Sequence, residues 1–116
     1  MSLEITNILK SSSIVRAVES GTYTINLDDL SSNTEIETVN SANIKRLIWS
    51  TNTSITISRN SQVVTELFYS GDIVLTELGY SLTQNSEHPI VINIPSGGTI
   101  FLELTKNTSY SKEIGL

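Results

Sequence analysis

The fold of this chain is decided by residues 44–106, which read IKRLIWSTNTSITISRNSQVVTELFYSGDIVLTELGYSLTQNSEHPIVINIPSGGTIFLELTK. Apolar residues recur at every second position in several parts of this stretch. A period of two is typical of half-buried β-strands, whose successive side chains point to opposite faces of a sheet. The alternating positions are Ile55 and Ile57; Val63, Thr65, Leu67 and Tyr69; Ile90, Ile92 and Ile94; and Ile100, Leu102 and Leu104.

Turn signals separate the predicted strands at short intervals. A first hairpin is predicted from residues 14–19 and 22–27. The predicted turns are Ser20-Gly21, Thr51-Asn52-Thr53, Arg59-Asn60-Ser61-Gln62, Ser70-Gly71-Asp72 and Pro95-Ser96-Gly97-Gly98. Strands this short, with turns this frequent, predict an all-β fold: an antiparallel β-sandwich or a jelly-roll-like barrel of about eight strands.

The composition supports an all-β chain of one domain. Of 116 residues, 18 are Ser, 14 are Thr and 10 are Asn; Ile contributes 15 and Ala only 2. Ala is the best helix former, whereas Ile and Thr favour strands. The chain has no cysteine, so neither a disulfide framework nor a thiolate metal site is expected.

The charge argues against several classes of partner. The formal net charge is −5, and the basic residues are scattered rather than clustered. A nucleic-acid-binding face needs clustered cations, and only Lys45, Arg46 and Arg59 are candidates, so no nucleic-acid partner is expected. No apolar run has the length of a membrane helix, and the N-terminus does not resemble a signal peptide, so no membrane partner is expected.

Two terminal segments flank the predicted β-sandwich domain of residues 14–106. Residues 1–13 carry several apolar side chains before Ser11-Ser12-Ser13, and their spacing fits neither a helix nor a strand cleanly. This segment is predicted to be an arm or docking segment that reaches a neighbouring subunit, or else a short element packed on its own domain. Residues 107–116 are predicted to be a polar tail, either mobile or docked on a partner.

The residues that could carry chemistry are few. His88, the only histidine, follows a polar loop without a cysteine or a paired base, so no catalytic residue is predicted. Asp28, Asp29, Glu35 and Glu37 form the densest acidic cluster, but their spacing matches no Ca²⁺ loop. No cofactor and no metal are therefore expected, and the cluster is interpreted as a solvated acidic edge.

Apolar residues are left over after one core has been assigned. If the alternating Ile and Leu residues point inward, several others lie on or near the opposite faces: Leu47, Trp49, Val64, Phe68, Val91 and Phe101. Such an excess often marks a surface that meets another chain. The predicted partner interface is Leu3, Ile5, Ile8, Leu9, Trp49, Phe68 and Phe101. Exposed Trp49, Tyr69 or Tyr80 would instead suit stacking on a sugar ring.

One order of motifs resembles a known family. It runs from 42–51 (ANIKRLIWST) and 54–59 (SITISR), through Glu66-Leu67 and Ser70-Gly71-Asp72, to 98–106 (GTIFLELTK). This order resembles small virion structural proteins of tailed bacteriophages, especially phages of marine bacteria.

The resemblance implies a non-enzymatic structural protein of the virion, made in the host cytoplasm. A capsid decoration or cement protein is the expected role. Its partners would be the major capsid protein or other virion proteins, as a homo-oligomer or a symmetric array on the particle. A carbohydrate-binding β-sandwich module, associated with a tail or fibre, is the alternative, and an enzyme built around His88 is the third.

Overall fold

The computed structural model describes residues 2–8, 12–31, 37–74 and 87–110. The prediction of an all-β, antiparallel fold is confirmed. These residues form seven strands in one antiparallel sheet, against about eight predicted, and a short 3-10 helix at Leu27–Leu30. The strands are β1 (Ser2–Ile8), β2 (Ser12–Val18), β3 (Gly21–Ile25), β4 (Glu37–Arg59), β5 (Gln62–Val74), β6 (Ile90–Ile94) and β7 (Gly98–Tyr110).

The seven strands are arranged as five long lines. β2 and β3 lie end to end and pair with β7 and β6, which also lie end to end. The line formed by β7 and β6 pairs in turn with the single long strand β4. Residues 37–51 of β4 pair with β7, and residues 56–58 of β4 pair with β6. β1 lies outside β2, and β5 lies outside β4. Among the described strands, β1 and β5 thus lie at the two sides of the sheet, and β3, which no described strand covers beyond β6, is an edge as well.

A crease crosses the lines at Glu19–Ser20, residues 51–53, Tyr69 and residues 95–98. The β4–β5 register shifts between Ser50 and Ser54, so three residues of β4 lie opposite Tyr69. The backbone is left-handed at Glu19, with φ 77°, and at Tyr69, with φ 58°. Bulges and left-handed residues bend a sheet sharply. The crease divides the sheet into a first half, with β1, β2 and β7, and a second half, with β3 and β6.

Gly98 shows why this crease needs a residue without a side chain. Its φ is 147°, and a Cβ atom there would lie 2.6 Å from the carbonyl oxygen of Ser50. The Glu19 N–H donates to the Gly98 carbonyl oxygen over 3.0 Å. The Thr51 hydroxyl donates to the Gly97 carbonyl oxygen over 2.7 Å. The crease is therefore cross-linked between its neighbouring lines.

The two halves fold onto each other around one hydrophobic core. Both halves contribute fully buried aliphatic residues, including every one of the predicted inward positions in β6 and β7. Burial of these side chains is the main favourable term for such a fold. The confirmed inward residues are Ile55, Ile57, Ile90, Ile92, Ile94, Ile100, Leu102 and Leu104.

Several predicted turns are wrong. Residues 51–53 and 70–72 lie inside β4 and β5, and residues 95–97 join two strands that lie end to end rather than in a hairpin. The predicted first hairpin is wrong as well, because β2 pairs with β1 and β7 whereas β3 pairs with β6. Ser, Thr, Asn and Gly suit bulges and kinks as well as turns, so composition does not distinguish them. Among the predicted turns, the one at Asn60–Ser61 does close a hairpin, with both residues at positive φ.

The segments at both ends continue the sheet. β1 pairs with β2 of the same chain along all of Ser2–Ile8, and Ser12 and Ser13 belong to β2 rather than to a spacer. At the other end, β7 continues to Tyr110 and so includes the first four residues of the predicted tail. These four residues pair with residues 37–41 of β4. Residues 111–116 lie outside the described part of the chain.

Candidate functional site

Among the described residues, the large apolar side chains that are most exposed lie on β5. Val63 is 63% exposed, Phe68 56% and Tyr69 67%. β5 pairs with β4 on one side, and no described strand pairs with its other side, which we call the free edge. A long edge strand with exposed apolar residues is a template on which another chain can pair, and proteins usually protect such edges. We therefore treat β5 as the candidate site.

Register explains which β5 side chains face outward. Thr65 lies opposite Ile57, and Leu67 lies opposite Ile55, so both face the core side, and Leu67 is buried. A register shift follows at Ser58, which lies opposite Val63. Val63 and Tyr69 alternate with Leu67 in the sequence but do not share its inward face. The extra β5 residue Val64, beside Ser58, and the crease at Tyr69 each break the alternation.

Trp49 holds the backbone that carries Phe68. The indole is buried in β4, with 8% of the residue exposed, and its Nε1–H donates to the Phe68 carbonyl oxygen over 3.1 Å. A Cβ atom at Gly71 would lie 2.5 Å from the ring, so the indole packs directly on the Gly71 backbone. Trp49 and Leu47 were predicted on or near an outer face, but both belong to the core. Trp49 acts through β5 and is not itself open to a partner.

The other residues of the predicted interface do not join this surface. Leu3 and Ile5 are half-buried on β1 and pack against the core, and Ile8 ends that strand. Leu9 lies outside the described residues. Phe101 is half-buried on the outer face of the first half, opposite Arg16 on one side and Ile48 on the other. β1 and β5 are separated by three lines of strands. The predicted interface residues outside the core therefore lie in three separate places: on β1, at Phe68 on β5 and at Phe101 on β7.

The charges on and beside β5 are acidic. Glu66 and Asp72 are its only charged residues, and β5 contains no Lys, Arg or His. Asp72 accepts two hydrogen bonds from Arg46, over 3.0 Å and 2.8 Å, and these bonds lower the pKa of its carboxyl group. Glu66 is exposed and forms no ion pair within the described ranges. One uncompensated negative charge therefore lies between Val63 and Phe68.

The basic residues considered for nucleic acid are all engaged. Arg46 pairs with Asp72, and Lys45 lies 3.6 Å from Glu103. Arg59 is fully buried, where desolvation lowers the pKa of its guanidinium group. These three residues form no open cationic face.

The residues considered for catalysis and metal binding are also dispersed. His88 is exposed, and its carbonyl oxygen accepts hydrogen bonds from Arg59 over 2.7 Å and 3.1 Å. Glu37 is buried and its carboxylate lies 3.4 Å from Lys106 Nζ, whereas Asp28 and Asp29 are exposed; Glu35 is not among the described residues. Over the ranges that the structure covers, no three His, Cys, Asp or Glu residues could share a metal ion. Nor does any helix there have the length and hydrophobicity to cross a membrane.

Comparison with known proteins identifies no relative: no family model, no curated protein and no solved structure matches this chain.

Proposed function

We propose that this protein is a non-enzymatic structural protein of a tailed-phage virion, and that it serves as a capsid decoration or cement protein. The motif order from residue 42 to residue 106 supports this proposal through its resemblance to small virion proteins. The protein would bind the major capsid protein or another virion protein at repeated, symmetric positions on the particle.

The observation that carries the proposal is the exposed apolar edge on β5. Val63, Phe68 and Tyr69 are the large apolar side chains exposed among the described residues. All three are on one strand, and no described strand lies outside it. Exposed apolar residues that gather on one element, beside few charges, indicate a protein–protein interface rather than ordinary surface scatter. A subunit that ties others together needs such a surface.

The test is to locate the protein in purified particles. Particles from a culture whose phage encodes this chain would be purified and analysed by quantitative mass spectrometry and cryo-electron microscopy. We expect a fixed copy number relative to the major capsid protein, and density in which β5 contacts a neighbouring protein. Absence of the chain from purified particles would overturn the proposal. Density in which β5 faces open solvent would leave the virion assignment standing and refute β5 as its interface.

Tyr69 favours one second candidate, a carbohydrate-binding module. Its ring is exposed at the crease, near the exposed polar residues Asn52 and Thr53, and an aromatic ring beside amide and hydroxyl groups is suited to a sugar. Trp49 is buried and so cannot stack on a sugar, and Tyr80 lies beyond the described residues. A glycan array distinguishes the two candidates. Glycan binding that Tyr69→Ala removes, in a chain absent from capsids, would replace the cement proposal.

A further inference from the structure

We propose that the free edge of β5 accepts an extended segment of a partner protein as an added β-strand, and that this segment carries both basic and apolar side chains. The inference rests on the proposed function only in taking the partner to be another virion protein. It names the chemistry by which β5 recognises that partner.

The backbone of β5 can pair with an added strand. In an antiparallel pair, every second residue of an edge strand directs its N–H and C=O groups away from its neighbour. β5 has 13 residues, from Gln62 to Val74, and pairs with β4 along nearly all of them. Its free edge is therefore held in extended form on each side of Tyr69, along residues 65–68 and 70–74, and both parts present backbone donors and acceptors with which no described strand pairs. Strand addition uses such a row for affinity and the side chains for specificity.

The side chains specify what the added strand carries. Val63 and Phe68 lie on the outer face, where apolar residues of an added strand would cover them. Glu66 lies on the same face between them, opposite Thr56 of β4. A basic residue beside Glu66 would pair with it, whereas an acidic one would be repelled. The partner segment is thus expected to alternate apolar and basic residues on this face.

The same charges disfavour a second copy of this chain as the occupant. Each copy has a net charge of −5, and its β5 carries two acids and no base. Pairing β5 with itself would bring up to four carboxylates together, only those of Asp72 being offset by Arg46. A basic segment of a different protein could pair with this edge without repulsion between carboxylates.

Backbone strain at Tyr69 indicates that β5 is shaped for contact. A bulky residue at φ 58° is held against its own preference, and such residues concentrate at functional sites. The ring is 67% exposed, so its own burial in the described part of the fold does not hold this conformation. Tyr69→Asn removes the ring and tolerates the left-handed backbone. We therefore expect this variant to raise the urea midpoint of unfolding and to weaken binding at the edge.

The test uses the 116-residue chain and two synthetic peptides. In the first peptide lysine alternates with valine, and in the second peptide glutamate replaces each lysine. Amide hydrogen exchange and NMR shifts report where each peptide lies. We expect the lysine peptide to slow exchange at alternate β5 amides by about tenfold or more, with weaker binding at high salt. The glutamate peptide is expected to leave β5 unchanged.

Two variants with the same change of charge separate strand addition from general attraction. Phe68→Lys alters the proposed edge, whereas Thr105→Lys alters an exposed position on β7, which pairs with a strand on each side. Phe68→Lys is expected to reduce peptide binding about tenfold or more and Thr105→Lys much less. Equal losses in both, shifts confined to other strands, or β5 amides already protected in the free monomer would each overturn the inference. So would a dimer formed through β5. None of these results depends on finding the protein in virions, so the inference and the proposed function fail separately.

Discussion

Arg59 donates from Nη1 to the carbonyl oxygen of Ala42 over 2.6 Å, although both residues belong to the same strand, β4. They are 17 positions apart. A straight strand would separate them by about 56 Å, at roughly 3.3 Å per residue. The hydrogen bond exists because the crease at residues 51–53 folds β4 back on itself. Arg59 thus joins the outer ends of the two halves, and it also bonds to His88.

Removing this guanidinium group is expected to destabilise the fold strongly. Arg59→Met keeps much of the buried volume but leaves the carbonyl oxygens of Ala42 and His88 without their donors. We expect a loss of about 2–4 kcal/mol in the free energy of unfolding, measured by urea denaturation. Arg59→Lys is expected to lose less than half as much free energy of unfolding as Arg59→Met, because the lysine ammonium group can replace some of the hydrogen bonds that the guanidinium group donates. Arg16→Met is the control: Arg16 forms an exposed pair with Glu4, and a change below about 0.5 kcal/mol is expected. Equal effects of Arg59→Met and Arg16→Met would contradict this account.

The buried ion pair of Glu37 and Lys106 gives a second stability prediction. Both side chains are fully buried, and Lys106 Nζ also donates to the Leu30 carbonyl oxygen over 2.8 Å. Lys106→Met alone leaves a buried carboxylate without its cation, and we expect a loss of about 3–5 kcal/mol. Replacing both residues with Met is expected to recover most of that loss. A double-mutant cycle in urea measures the coupling, and additive losses would show that the two side chains do not depend on each other.

Gly71 is expected to tolerate no side chain. The added Cβ of Gly71→Ala would lie 2.5 Å from two carbons of the Trp49 ring, so the indole or β5 must move. Overpacking of this kind costs about 1–3 kcal/mol. Urea unfolding measures the loss, and a shift in tryptophan emission reports displacement of the ring. Ser70→Ala, at the exposed neighbouring position, should change neither. An unperturbed emission spectrum in Gly71→Ala would refute the proposed contact.

The pair of Arg46 and Asp72 predicts a pH response with a definite sign. Hydrogen bonds from Arg46 lower the pKa of the Asp72 carboxyl group relative to the unfolded chain. Stabilisation by this group is therefore present above its unfolded pKa and is lost as the pH falls through its folded pKa. NMR titration of the carboxyl carbon should give a pKa below that of an unpaired Asp, and Arg46→Gln should raise it. Because the pair is exposed, added salt should weaken the effect. An unchanged pKa in Arg46→Gln would show that another group causes the shift.

The alternation in the sequence was sufficient to predict strands and core but not the path between them. The inward positions of β6 and β7 were predicted correctly because burial of one face imposes a period of two. The crease could not be predicted, because bulges and left-handed residues interrupt a strand with the same residue types that end one. For the same reason, the prediction of Trp49 on or near an outer face is wrong, and the alternation does not reveal that Val63 is exposed.

The sequence also contains a signal for the buried charges. Arg59 follows Ile55 and Ile57 at the same spacing, and Lys106 follows Leu102 and Leu104. A basic residue that continues an inward-facing series predicts a buried cation with oxygen partners. Phe68 was predicted as an interface residue and is exposed, but its role in binding stays a prediction. The exposure of Tyr69 follows from the local register, which no pattern in the sequence reveals.

The position of β7 has a consequence for synthesis. β7 pairs with β2 on one side and β4 on the other, yet it is the last of the seven strands in chain order. While a ribosome makes the chain, neither β2 nor the first part of β4 can find this partner until residues 98–110 have emerged. Until then, β2 can pair only with β1, and residues 37–45 of β4 lack the strand they pair with, so these edges stay open to aggregation. A chain truncated within β7 would lack the strand that joins β2 to β4, and we expect it not to reach the folded state.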